Sequence, residues 1–221
     1  MRRRWRGRSH SAALSWLGKC SREQAGHSTH LAFNFTPEIE AQAMLKLKVE
    51  INTPEHASLL GVRRYPFAVE NDGYHGTAEI ASFEPEELFG TKLRALLRRR
   101  GNRDLFDLLQ GLEQLRLAPE RVIDGFDHYL ALEGKPITRA MAEQRMLEKL
   151  TRSLTEDVAP MLPASIRRSD EDAIQALGRV WSELIARISG DAWKLSDAVN
   201  EELRAKRYPA LLMLRDRERS Q

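Results

Sequence analysis

FEPEELFGTKLRALLRRRGNRDLFDLL, residues Phe83–Leu109, decides the reading of this 221-residue chain. Glu84-Pro85-Glu86-Glu87 has the composition of a helix start, with proline in the first turn and carboxylates beside the positive end of the dipole. Leu88, Leu93, Leu96 and Leu97 then supply its apolar face. Lys92 and Arg99 are seven residues apart, so the helical repeat turns both to one side. Gly101-Asn102 interrupts the pattern, Asn102 is placed to cap a second helix, and Asp104 and Asp107 stand three apart on one face of it. Cations and carboxylates at fixed spacing on two consecutive helices make a candidate triphosphate site. A run such as Arg98-Arg99-Arg100 equally suits a solvated helix face, and Asp104 equally suits the dipole of the helix it opens.

Upstream of this stretch the period changes from helical to alternating. Leu31–Phe35, Leu45–Ile51 and Ala78–Phe83 are the strand candidates. In Leu45–Ile51 the apolar residues take one face and Lys46, Lys48 and Glu50 the other. That charged face is either the lining of a cleft or the polar side of a half-buried strand. Gly73 and Gly76 with Tyr74-His75 between them read as a turn, which makes His75 a loop residue. Downstream, Pro119–Leu132, Ile137–Leu154 and Ser169–Ile188 have the pattern of amphipathic helices, with Met141, Met146 and Trp181 in the core and a weak capping signal at Ser169 and Asp172. Pro160 and Pro163 mark a hinge, and LLMLRDRERSQ at Leu211–Gln221 reads as a fraying tail. The fold class is α+β.

Composition narrows the function. Hydrophobic content is 42% with no run long enough to span a bilayer, so no membrane partner is expected. One cysteine, Cys20, excludes an internal disulfide and is compatible with a cytoplasmic location. Net charge is +3, with basic residues concentrated in MRRRWRGR at the N-terminus and in Arg94–Arg103. This favours a polyanionic partner weakly. Arginines beside Trp5 and Trp16 would also serve an RNA-binding arm. There is no Cys/His spacing for zinc, no GxxxxGK[ST] loop and no GxSxG turn. Gly90-Thr91-Lys92 lacks the earlier glycine and the preceding strand of a phosphate loop.

Several segments in order carry a resemblance. LAFNFTPEIE at Leu31–Glu40, LKVEIN at Leu47–Asn52 followed by Thr53-Pro54-Glu55-His56, RRYPFAVEN at Arg63–Asn71, and EELFGTKLRALLRRRGNRDLFDL together resemble the nucleotidyltransferase AbiEii/AbiGii toxin family. The resemblance implies a partial nucleotidyltransferase-like sheet region followed by a helical C-terminal domain. Its division would be a poorly ordered basic segment at 1–30, a nucleotidyltransferase-like α/β region at 31–110 and a helical domain at 111–221. It implies a toxin of a bacterial toxin–antitoxin or abortive-infection system that moves a nucleoside monophosphate from a nucleoside triphosphate to an RNA acceptor such as tRNA. Mg²⁺ would be the cofactor and a cognate antitoxin the protein partner. On this likeness Glu50 is a metal carboxylate, and Lys92, Arg99 and Arg103 hold the triphosphate. Lys92, Asp104 and Asp107 form the catalytic group, in which a carboxylate orients the acceptor or the lysine.

The chain departs from the family pattern upstream of LKVEIN. Members carry a Gly-Ser turn and an Asp-x-Asp strand there, and residues Met1–His30 hold a single acidic residue, Glu23. Two metal ions need more oxygen ligands than Glu50 supplies. The expectation is a truncated or decayed toxin with impaired transfer. The alternative is a non-catalytic module that binds an antitoxin or RNA.

Overall fold

A computed structural model describes residues 19–26, 28–36, 43–52, 57–71, 74–150 and 169–220. Among the described residues five antiparallel strands precede seven α-helices, an α+β arrangement. The chain divides into two compact units, Met1–Ala57 and Ser58–Gln221.

The first unit is a three-stranded sheet in the order β1 (Cys20–Ala25), β2 (Ser28–Phe35), β3 (Leu45–Asn52). Alternation sets its register: Leu31 faces Val49 and Phe33 faces Leu47, while His30, Ala32 and Asn34 oppose Glu50, Lys48 and Lys46. Apolar side chains therefore share one face and the charged residues of β3 the other. β1 was not among the expected strands. Its sequence, CSREQA, has no apolar alternation, and pairing with β2 rather than a buried face makes it a strand.

The second unit opens with a hairpin of β4 (Val62–Asn71) and β5 (Tyr74–Phe83). β5 begins earlier than the alternation indicates, and His75 is a strand residue opposite Glu70, which corrects its reading as a loop residue. Pro66 lies in β4 and is tolerated because a two-stranded ribbon leaves each strand one free edge.

The helices are α1 (Pro85–Arg98), α2 (Arg103–Gln114), α3 (Pro119–Glu133), α4 (Arg139–Glu148), α5 (Asp170–Glu183), α6 (Ser196–Arg204) and α7 (Tyr208–Arg219), with a 3₁₀ turn at Ile185–Arg187. Pro85 opens α1 as its composition requires, and Ser169 with Asp172 closes a full capping box on α5. Leu93, Leu96, Leu105, Leu108, Phe126 and Trp181 are among the side chains fully enclosed in one continuous core. Met146 joins that core, but Met141 stays 39% exposed, a correction to the pairing of the two methionines as core. They are five apart on α4, too far round the helix to share a face. Most of Leu211–Gln221 is helical: α7 continues through Arg219, and Arg215 and Arg219 donate to the carbonyls of Leu150 and Glu148 at the end of α4. The segment around Pro160 and Pro163 and the basic arm at Met1–Arg8 lie outside the described residues.

Glycine sets the spacing between helices. A Cβ on Gly90 would lie 2.7 Å from the Phe126 backbone nitrogen and 2.8 Å from the Val122 carbonyl oxygen. One on Gly125 would lie 3.2 Å from the Glu87 Cα. α1 and α3 thus touch backbone to backbone. This contact lets Glu87 reach Tyr129, whose hydroxyl donates to it at 2.6 Å. The same carboxylate accepts from the backbone N–H groups of Leu59 and Leu60, at 2.9 and 2.7 Å, and from Ser58 Oγ at 2.7 Å. The segment leading into β4 is thereby fastened to α1. Burial pushes the Glu87 carboxyl up, but these four donors outweigh it and hold it below its ordinary value.

Two outcomes follow for stability. Gly90→Ala should destabilise by about 1–3 kcal/mol through backbone overlap, whereas Gly178→Ala, with only Leu203 Cβ at 3.9 Å, should stabilise by about 0.5–1 kcal/mol; urea denaturation reads both. Because the folded Glu87 carboxyl titrates below its unfolded value, its contribution is complete above about pH 4.5 and lost as pH falls through the folded value. Denaturation series at pH 7 and in acid should show a steeper acid loss for the parent than for Glu87→Gln.

Candidate functional site

The expected cations and carboxylates of α1 and α2 come together, by a different route from simple helical repetition. α1 ends at Arg98, and Arg99 is its C-cap in extended conformation with φ −87° and ψ 158°. The backbone turn, not the seven-residue spacing, directs Arg99 back toward α2. Lys92 Nζ lies 3.9 Å from Asp104 Oδ1, and Arg99 Nη1 lies 3.7 Å from Asp104 Oδ2. The lysine donates directly to Asp107 Oδ2 at 2.6 Å. Asp104 and Asp107 share a face of α2, as their spacing indicates, and both are turned to Lys92.

Burial separates the two carboxylates. Asp104 has a side-chain exposure of 5%, against 45% for Asp107. Asp104 Oδ2 is enclosed and receives no hydrogen bond, since its arginine stands at ion-pair rather than hydrogen-bond distance. A buried carboxylate oxygen without a donor is costly in a finished core. Here it lies beside two cations, one of which is also engaged by an exposed, exchangeable partner. The cluster can hand Lys92 from Asp107 to an incoming anion while Asp104 keeps the cations aimed.

Arg103 opens α2 and is exposed. Asn102 occupies the N-cap position without a side-chain capping bond. Glu50 belongs to the other unit, on the exposed charged face of β3, with Lys48 Nζ 2.5 Å from its Oε1. The described residues do not fit Mg²⁺: no three His, Cys, Asp or Glu side chains gather among them, and both carboxylates of the α2 cluster are turned to a lysine.

Arg98 is engaged as well, pairing with Glu133 at the end of α3, where Arg94 also reaches that carboxylate at 2.9 Å. Arg94 lies over the Tyr129 ring at 5.1 Å. The arginine run is therefore divided: Arg98 braces α3 and Arg99 faces Asp104.

Sequence reasoning missed a basic cleft of about 1040 Å³ at the end of α1, where Arg98, Arg99 and Arg100 are joined by Lys135, Arg145, Lys149 and Arg219. A signal existed in Arg145 and Lys149, four apart and on one face at the end of α4.

A model of the nucleotidyl transferase AbiEii toxin, of type IV toxin–antitoxin systems, matches residues 8–203. Comparison with the curated proteins and with the solved structures returned no match.

Lys92→Met should cost about 1–3 kcal/mol at pH 7, because it leaves Asp104 enclosed with Arg99 alone. Asp107→Asn should stay within about 1 kcal/mol, its carboxylate being solvated. Chemical denaturation of the two variants beside the parent checks the order.

Proposed function

We propose that this chain, which belongs to the nucleotidyl transferase AbiEii toxin family, receives a nucleoside triphosphate at the Lys92 cluster and passes its nucleoside monophosphate to an RNA acceptor, tRNA among the candidates. The observation that carries the reading is the arrangement of Lys92 and Arg99 on the enclosed carboxylate of Asp104, with Asp107 as an exposed partner of the lysine. An entering triphosphate displaces Asp107 from Lys92 and takes up the lysine's charge. Asp104 stays behind both cations and keeps them from collapsing onto solvent. Arg103, one residue before Asp104 and exposed, extends the positive edge toward the outer phosphates. Transfer of this type depends on positioning and on charge stabilisation, which a preorganised cation pair supplies.

The described residues supply these cations and not a metal-binding carboxylate set. We therefore expect slow transfer by this chain, with the family's toxic role and its cognate antitoxin as the biological setting. The observation that favours a second reading, a binding module for RNA or antitoxin, is the same shortage of metal ligands.

Incubating the chain with each labelled nucleoside triphosphate, Mg²⁺ and total RNA decides between them. Weak labelling of RNA that falls at least tenfold in Lys92→Ala, with the variant's helical circular dichroism unchanged, supports the transferase. Labelling that is undetectable, or equal in the variant, supports the binding module.

A further inference from the structure

We infer that the cleft formed by the end of α1, the α3–α4 connection, α4 and α7 is a binding site for the sugar–phosphate backbone of RNA, separate from the Lys92 cluster and adjoining it through Arg99. Among the described residues it is lined by seven cationic side chains and one carboxylate, Glu148.

Part of this charge has a structural cause. Helices α1 and α4 both end at the cleft, and the carbonyls at a helix C-terminus attract cations. Lys149 donates to the carbonyls of Arg99 and Gly101, and Arg219 to that of Glu148. Arg98 is taken by Glu133 and Arg99 faces Asp104. Those four are accounted for. Arg100, Lys135 and Arg145 are not: no carboxylate among the described residues pairs with any of them. Arg145 shares the attraction of the α4 end, but three cations without a carboxylate partner around one concavity repel one another and set it for an anion of several charges.

The shape and lining indicate which anion. About 1040 Å³ is at the upper limit of a small-molecule pocket, so the cleft admits more than one phosphate-bearing unit. Five of its seven cations are arginines, whose planar fork matches phosphate. No aromatic ring lines it among the described residues, and its apolar part is Leu97, Pro136, Ile137 and Met141. The described lining therefore offers contacts to the backbone and no stacking surface, which gives binding without sequence preference. An acidic protein segment would meet the same charges but lacks the aromatic or deep apolar anchor pocket that protein interfaces rely on. The site rests on these residues alone; only the choice of RNA as the polyanion rests on the reading above.

Fluorescence anisotropy of a labelled single-stranded RNA with the full chain, titrated at several salt concentrations, tests the assignment. The variant Arg100→Ala/Lys135→Ala/Arg145→Ala should bind at least tenfold more weakly, with a salt slope shallower by about 2, at ~0.7 per lost phosphate contact. Lys135→Glu, at an exposed loop position, should lower affinity alone and keeps the test independent of folding. Arg121→Ala, at an exposed cation of α3 that does not line the cleft, should bind RNA as the parent does. Unchanged affinity and slope in the triple variant and in Lys135→Glu would overturn the site. So would loss of RNA binding confined to Lys92→Ala, or tighter cleft-dependent binding of polyglutamate than of RNA. Cleft-dependent RNA binding without any nucleotide transfer would uphold the site while removing the transferase reading.

Discussion

The contact on which the helical unit depends is the backbone approach of α1 to α3 at Gly90 and Gly125. α1 has no room for a Cβ at Gly90, and one at Gly125 of α3 would press on the Glu87 Cα at 3.2 Å, so the separation is set by backbone atoms rather than adjustable side chains. On α2, Gly111 makes room for a side chain instead: a Cβ there would fall 2.2 Å from the Phe89 ring. With three helices set this closely, Leu93, Leu96, Leu105 and Phe126 are sealed from solvent. Lys92 and Asp104, each next to one of these core leucines in the chain, inherit their positions from that packing.

The same packing encloses Glu87, Glu143 and Asp104 and treats them differently. Glu87 is saturated by four donors that join α1 to α3 and to the segment before β4. Glu143 on α4 accepts from Arg139 at 2.8 Å, from the Trp193 backbone N–H at 2.8 Å and from Ser196 Oγ at 3.1 Å, which fixes the approach to α6. Both are structural fasteners, since a buried charge is tolerated when hydrogen bonds replace its water. Asp104 is as deeply placed but keeps one oxygen without a donor. It joins α2 to α1 only at ion-pair distance, through Lys92 and Arg99. The difference between a saturated and an unsaturated buried carboxylate is what marks Asp104 as the candidate within one core.

Legibility in the sequence followed the physics of each element. The start of α1, the strand pattern of β2 and β3 and the capping box of α5 were visible because local chemistry and tertiary structure agree there. β1 was hidden because a polar strand is made by its neighbour, and β4 because Pro66 and paired arginines obscure the alternation of VRRYPFAVEN. The α2 cluster was legible in composition and misread in route: the spacing of Lys92 and Arg99 suggested one helix face, and Arg99 reaches Asp104 from an extended cap. Gly90 read as a failed phosphate loop and is a packing residue. Glu87 gave only the signal of a first-turn carboxylate, since its four donors come from residues distant in sequence or from the backbone.

The basic cleft shows why a charge run cannot be interpreted from its own segment. Arg98, Arg99 and Arg100 are consecutive, yet the first is consumed by α3 and the second by α2, and only the third lacks a carboxylate partner among the described residues. Conversely, Lys149 and Arg219 owe their place to the carbonyls of two helix ends and would be there with no ligand at all. What remains after both subtractions is a residue of charge drawn from α1, the α3–α4 connection and α4, on elements that no sequence window joins. Fold stability does not require this residue, because like charges held together oppose the compact state. Its retention is therefore an argument about what the cleft meets from outside.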